Sequence, residues 1–113
     1  MDGTFFPDAD LAVETVEAGK VTRKIRARGG KIMMVEVSFA SGAEGYAHEH
    51  PHEQATLCLS GEFQFTVGGK TKRLLTGDSI FIAGGLRHGT MCIKEGRLLD
   101  VFTPQREDFL AKK

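Results

Sequence analysis

The 113-residue sequence contains no tryptophan, one tyrosine, three prolines and two cysteines, and it carries no net charge. Fifteen Lys plus Arg balance fifteen Asp plus Glu, so no global field gathers nucleic acid or an anionic membrane. Cys58 and Cys92 are too few for a disulfide framework and do not form a CxxC pair, so they read as small buried hydrophobes kept as thiols. Apolar runs are short, as at residues 32–35, which excludes a helical membrane span. Residues 1–5 lack the basic flank and apolar stretch of a signal peptide, so a cytoplasmic protein is expected.

What is present is the composition of an ordinary folded domain, 41% hydrophobic and 27% charged, at a length that suits one core. Fourteen glycines cut the chain into short segments, and from residue 31 onward these are β-branched or aromatic residues alternating with polar ones. The pattern predicts strands over 31–39, 55–59, 62–67, 70–75, 79–83, 89–93 and 98–102, with a Gly68-Gly69 hairpin turn between the third and fourth. Turn signals at Ser60-Gly61, Gly77-Asp78, Gly84-Gly85 and Glu95-Gly96 recur at the spacing of an all-β sandwich or barrel. Residues 7–16 read as a loop or an extra strand. Residues 106–112 read as a short helix, with Thr103 as N-cap and Pro104 at its first position. The organisation expected is a single domain over 1–113: an N-terminal arm (1–19), a barrel (20–103) and a tail (104–113).

Three of the four histidines, His48, His50 and His52, lie within five residues of one another, and the fourth is His88. In an extended segment the period of two places alternate imidazoles on one face, where they can reach a single metal ion. Pro51 bends the chain after His50, so His52 is open to either a ligand role or a supporting one. Glu53 and Gln54 both compete to supply an oxygen.

The run containing Gly45, His48, His50, Gln54 and Gly61 resembles the first motif of the cupin family, and Gly77, Ala83, Gly85 and His88 resemble its second. The resemblance implies a double-stranded β-helix, a jelly-roll barrel with a short helical tail. It also implies one divalent metal ion, whether zinc, nickel, iron, manganese or cobalt, held by His48, His50, Gln54 and His88. Two positions depart from the family pattern. Ala83 replaces the usual proline of the turn. Gln54, seven residues before Gly61, stands where a glutamate is usual. Three imidazoles and an amide oxygen leave the ion's full charge in place, which strengthens it as a Lewis acid and makes it a poor host for high-valent iron.

The ending that contains Asp100, Phe102, Pro104, Arg106, Asp108, Phe109 and Leu110 resembles the pectin-degradation (KdgF) subfamily of cupins. That subfamily opens the ring of 4,5-unsaturated uronates to linear keto-uronates. Opening a cyclic hemiacetal needs a proton shuttle, a Lewis acid and a cation for the carboxylate. Period two would aim Asp100 and Phe102 into the barrel, Asp100 as shuttle and Phe102 as a wall for the sugar, while Arg106 grips the carboxylate. The alternative is an Asp100–Arg106 ion pair that anchors the tail. Two other functions stand beside this one: a metal-containing module that binds a small ligand without transforming it, and a dioxygenase.

Lys20, Arg23, Lys24, Arg26, Arg28 and Lys31 form a basic run without acids or aromatics, which gives base stacking no platform. As a strand it would place Val21, Arg23, Ile25 and Ala27 on one face and Lys24, Arg26 and Arg28 on the solvent face of an edge strand. Arg23 is then a cation on an apolar face, a candidate second contact for a substrate carboxylate. A sugar-acid substrate, a homodimer, and neither nucleic acid nor membrane as partner complete the expectations.

Overall fold

The structure, a computed structural model, describes residues 3–110. A 3-10 turn at Asp8–Asp10 leads into eight strands: β1 (Glu14–Glu17), β2 (Val21–Gly29), β3 (Ile32–Phe39), β4 (Glu44–His48), β5 (Glu53–Val67), β6 (Lys70–Leu75), β7 (Ser79–Ile82) and β8 (His88–Thr103). One helical turn, α1 (Glu107–Leu110), follows. Their order is β1-β2-β3-β8-β5-β6, with β4 added to β8 and β7 to β5, and every pairing is antiparallel. No helix among the described residues is long and apolar enough to cross a membrane.

The long strands β5 and β8 turn this order into a barrel. Residues 97–103 of β8 pair with 53–60 of β5 and carry β3 on their other side, whereas residues 88–94 pair with 62–67 and carry β4. Both strands bend where they cross, and the ladder slips there between Cys58 and Phe63. Glycine permits the crossing. A Cβ on Gly61, whose φ is +81°, would meet the Glu95 and Lys94 carbonyl oxygens at 2.5 Å, and one on Gly96 would overlap the Ser60 carbonyl. The turn signals at these glycines therefore mark bends inside continuous strands, not the strand ends that the sequence pattern suggests.

Alternation along these strands fills the interior. Val21, Phe39, Phe63, Phe65, Leu74, Ile82 and Leu98, with both cysteines, form the main apolar cluster. Burial raises the pKa of both thiols, as expected of inert core residues. Met33, Val35 and Phe102 form a second cluster, against which Ile25, Phe109 and Leu110 pack.

Two local expectations change. β2 is not an edge strand: β1 pairs with it over Val21–Arg23, and beyond that Asp8 of the 3-10 turn bonds both Lys24 (3.1 Å) and Arg26 (2.6 Å). A bulge between Ile25 and Ala27 also breaks the alternation, setting Ala27 opposite outward-facing Met34 while Ile25 faces buried Val35. At the C-terminus, β8 runs through Thr103, which leaves Thr103 in a strand and not at a helix N-cap, and helix α1 begins only at Glu107. Residues 111 and 112 of the expected helix lie outside the described residues.

Candidate metal centre and substrate cavity

His48 ends β4, His50 sits in the loop that follows, and His88 begins β8 directly opposite His48. The second glycine motif braces this loop. Gly85 N–H donates to the His50 carbonyl at 2.8 Å, and Gly84 lies so close to Pro51 that a Cβ would overlap its carbonyl oxygen. One ring nitrogen of each of His48, His50 and His88 lies within 4.8 Å of those of the other two, so the three could hold a metal ion.

The hydrogen bonds of the rings fix which nitrogens face inward. His48 Nδ1–H donates to the Tyr46 carbonyl (2.8 Å), His50 Nδ1–H to that of His52 (3.1 Å), and His88 Nδ1–H to that of Leu86 (2.9 Å). Each neutral ring therefore presents a bare Nε2 lone pair. His88 Nε2 is buried with no partner among the described residues. His50 Nε2 lies 3.1 Å from Gln54 Oε1, a contact of two acceptors unless a cation sits between them or the ring takes a second proton. Burial, with the positive Arg106 nearby, lowers the His50 pKa and opposes that protonation. A divalent cation fits this donor set.

His52 faces elsewhere. Its Nε2 lies 3.2 Å from the Gln105 carbonyl, and its ring packs edge-on against His50 and Phe102, so it ties the tail to the loop. Glu53 is exposed, while Gln54 is buried and faces the interior.

His48 and His88 open onto a cavity of about 400 Å³ that Gln54, Asp100, Phe102, Arg23 and Arg106 also line. Asp100 fronts the cavity from within the barrel. It accepts a 2.6 Å hydrogen bond from Thr56 Oγ1, which in turn accepts one from Gln54 Nε2 at 2.9 Å. Burial pushes the Asp100 carboxyl up to about 6, against the Thr56 hydrogen bond and the charge of Arg106. Phe102 packs edge-on to His50, with ring centroids 5.8 Å apart.

The alternative reading, an Asp100–Arg106 ion pair, is absent among the described residues. Arg106 is instead held in a fork by Asp108, Nε to Oδ1 at 3.0 Å and Nη2 to Oδ2 at 2.7 Å, which lowers the Asp108 pKa. Arg23 bonds Glu14 at 2.9 Å and reaches the same cavity. Between them stands Phe109, 3.9 Å from the Arg23 guanidinium and 4.2 Å from that of Arg106. Phe109 and Thr56 carry no role in the sequence reading. For Thr56 the signal was available, since period two along β5 puts it on the same face as Gln54. For Phe109 it was not, because only the folded tail brings it between two arginines distant in sequence.

The Cupin domain family profile matches residues 35–102. The chain is 36% identical over 108 residues to the pectin degradation protein KdgF of Dickeya dadantii, covering 94% of this chain and 97% of that protein. Among solved structures it is similar to an RmlC-like cupin from Shewanella frigidimarina, with TM-score 0.89, 36% identity and 96% of each chain covered. It is likewise similar to KdgF from Halomonas sp., with TM-score 0.89, 32% identity, and 96% of this chain and 99% of that one covered.

Proposed function

The chain belongs to the cupin domain family, and from that premise we propose that it opens the ring of 4,5-unsaturated uronates to linear keto-uronates, using a divalent transition-metal ion. The observation that carries the reading is a three-histidine group, two of whose members, His48 and His88, line one cavity together with a carboxyl pushed up to about 6 and two arginines. Similarity over 94% of the chain to the pectin degradation protein KdgF of Dickeya dadantii supports the substrate class.

In this reading His48, His50 and His88 would hold the ion through Nε2, with Gln54 Oε1 as a further ligand. When bound, the ion supplies a Lewis acid that polarises the sugar oxygens. Asp100 takes the proton of the anomeric hydroxyl, the bond between C1 and the ring oxygen breaks, and C1 becomes an aldehyde. The ring oxygen leaves as an enolate oxygen on C5, and Asp100 returns its proton to C4, which gives the ketone, so the reaction is an isomerisation. A carboxyl group titrating near 6 suits both halves of that transfer.

Phe102 forms the floor under the sugar. Arg106 meets the substrate carboxylate through its Nη1/Nη2 edge, because Asp108 already occupies the Nε/Nη2 fork. Arg23 adds a second positive charge to the same wall. The test is to compare Asp100→Asn and Arg106→Ala with wild type for turnover and bound metal. Loss of turnover with metal content retained is expected, and full activity in either variant overturns the roles.

A further inference from the structure

We propose that Thr56 is a positioning residue that fixes the orientation of the Gln54 amide, so that its oxygen and not its nitrogen faces the three histidines. The inference rests on the reading above in which Gln54 Oε1 is a metal ligand.

Thr56 is 1% exposed, stands on β5 two residues from Gln54, and pairs directly with Asp100 of β8. Its hydroxyl has one proton and two lone pairs. In its ionised form Asp100 can only accept, and it lies 2.6 Å from Thr56 Oγ1, so the hydroxyl proton is then committed to it. What remains on Thr56 is acceptor capacity, and the group facing it must donate.

Of the two ends of the Gln54 amide only the NH2 can do so, at 2.9 Å. The oxygen is then left at the other end, 3.1 Å from His50 Nε2. In the flipped amide, Oε1 would face an oxygen whose proton is spent and NH2 would face the ion, which leaves a buried acceptor unpaired and a donor against a cation. The carboxylate thus dictates the hydroxyl, the hydroxyl dictates the amide, and the amide presents oxygen to the centre. A valine has the same shape and breaks the chain.

The experiment titrates cobalt(II) into chelated protein by competition with a chromophoric chelator, and records the cobalt absorption spectrum of each loaded variant. The proteins are wild type, Thr56→Val, Thr56→Ser, Gln54→Ala and the Thr56→Val/Gln54→Ala double variant, each first checked for folding. Gln54→Ala and Thr56→Val should each weaken affinity by about ten-fold or more. Thr56→Ser should restore it to within about two-fold of wild type, and Thr56→Val should add nothing to Gln54→Ala. The cobalt spectrum of Thr56→Val should shift with that of Gln54→Ala.

Wild-type affinity and spectrum in Thr56→Val beside a weakened Gln54→Ala overturn the role of Thr56 and leave Gln54 standing. Wild-type affinity in Gln54→Ala overturns the ligand assignment and the inference together. A Thr56→Ser as weak as Thr56→Val shows that the hydroxyl is not the cause. If Thr56→Val does not fold, Thr56→Cys, which keeps the volume and gives up the strong donor, carries the same expectations.

Discussion

Replacing Asp100 by asparagine should make the protein more stable at pH 8 while removing its activity. The unfolded chain ionises this carboxyl near 3.8, and the folded chain holds it back to about 6. A raised carboxyl pKa means that the folded state disfavours the charged form, so stability falls as pH climbs through this window and stays low above it. The interval of about 2 units corresponds to about 3 kcal/mol at about 1.4 kcal/mol per unit. Asp100 is only partly buried, so solvent screening reduces that figure and a gain of about 1–3 kcal/mol is expected at pH 8. Asparagine keeps an Oδ1 acceptor for Thr56, so the hydrogen bond of the native side chain has a replacement. Urea unfolding of the chelated proteins at pH 4 and pH 8 measures the effect. The Asp100→Asn substitution should help at pH 8 and make little difference at pH 4. A variant destabilised at pH 8, or one whose effect is equal at both pH values, refutes the reasoning.

Gly61→Ala should destabilise the fold by about 3 kcal/mol or more, read by urea unfolding, because its Cβ meets two backbone carbonyls at a positive φ. Phe109→Ala should raise KM for a uronate about ten-fold while changing kcat less, since it frees the Arg23 and Arg106 guanidiniums that the ring spaces apart. Steady-state kinetics will show it, and an unchanged KM argues against a role in carboxylate binding. His88→Ala should lower bound metal to a small fraction of wild type, measured by elemental analysis after dialysis. Retention of metal in that variant would point to a centre built on other residues.

The fold and the three-histidine group were legible in the sequence for different reasons. The histidines announce themselves because His48 and His50 are neighbours, and because the glycines at 84 and 85 brace the same loop that presents them. Alternation located β3, β5, β6, β7 and β8, because apolar residues at alternate positions have one core to enter, and left β1 and β4 unread. Glycine was the ambiguous letter. At 68 and 69 it closes a hairpin, while at 61 and 96 it lets two strands cross at close range, and nothing local separates the two uses.

In the wall of the cavity Phe109 was the least legible part, although Arg23 and Arg106 beside it were read from the sequence. Arg23, Phe109 and Arg106 converge only after the tail folds back over the barrel, and the Asp108 fork that occupies Arg106 depends on the same turn. The bulge at Ile25 and Ala27 and the cover that Asp8 gives Lys24 and Arg26 are likewise products of tertiary pairing. A basic run read alone looks like an exposed edge.

The most direct test of the central claim follows the ultraviolet absorbance of a 4,5-unsaturated uronate in the presence of the wild-type protein, first with its metal, then after chelation, then with metal restored. The account predicts loss of the absorbance, its arrest on chelation and its recovery on adding the metal back. A protein that binds the metal fully and leaves the absorbance unchanged contradicts the ring-opening function.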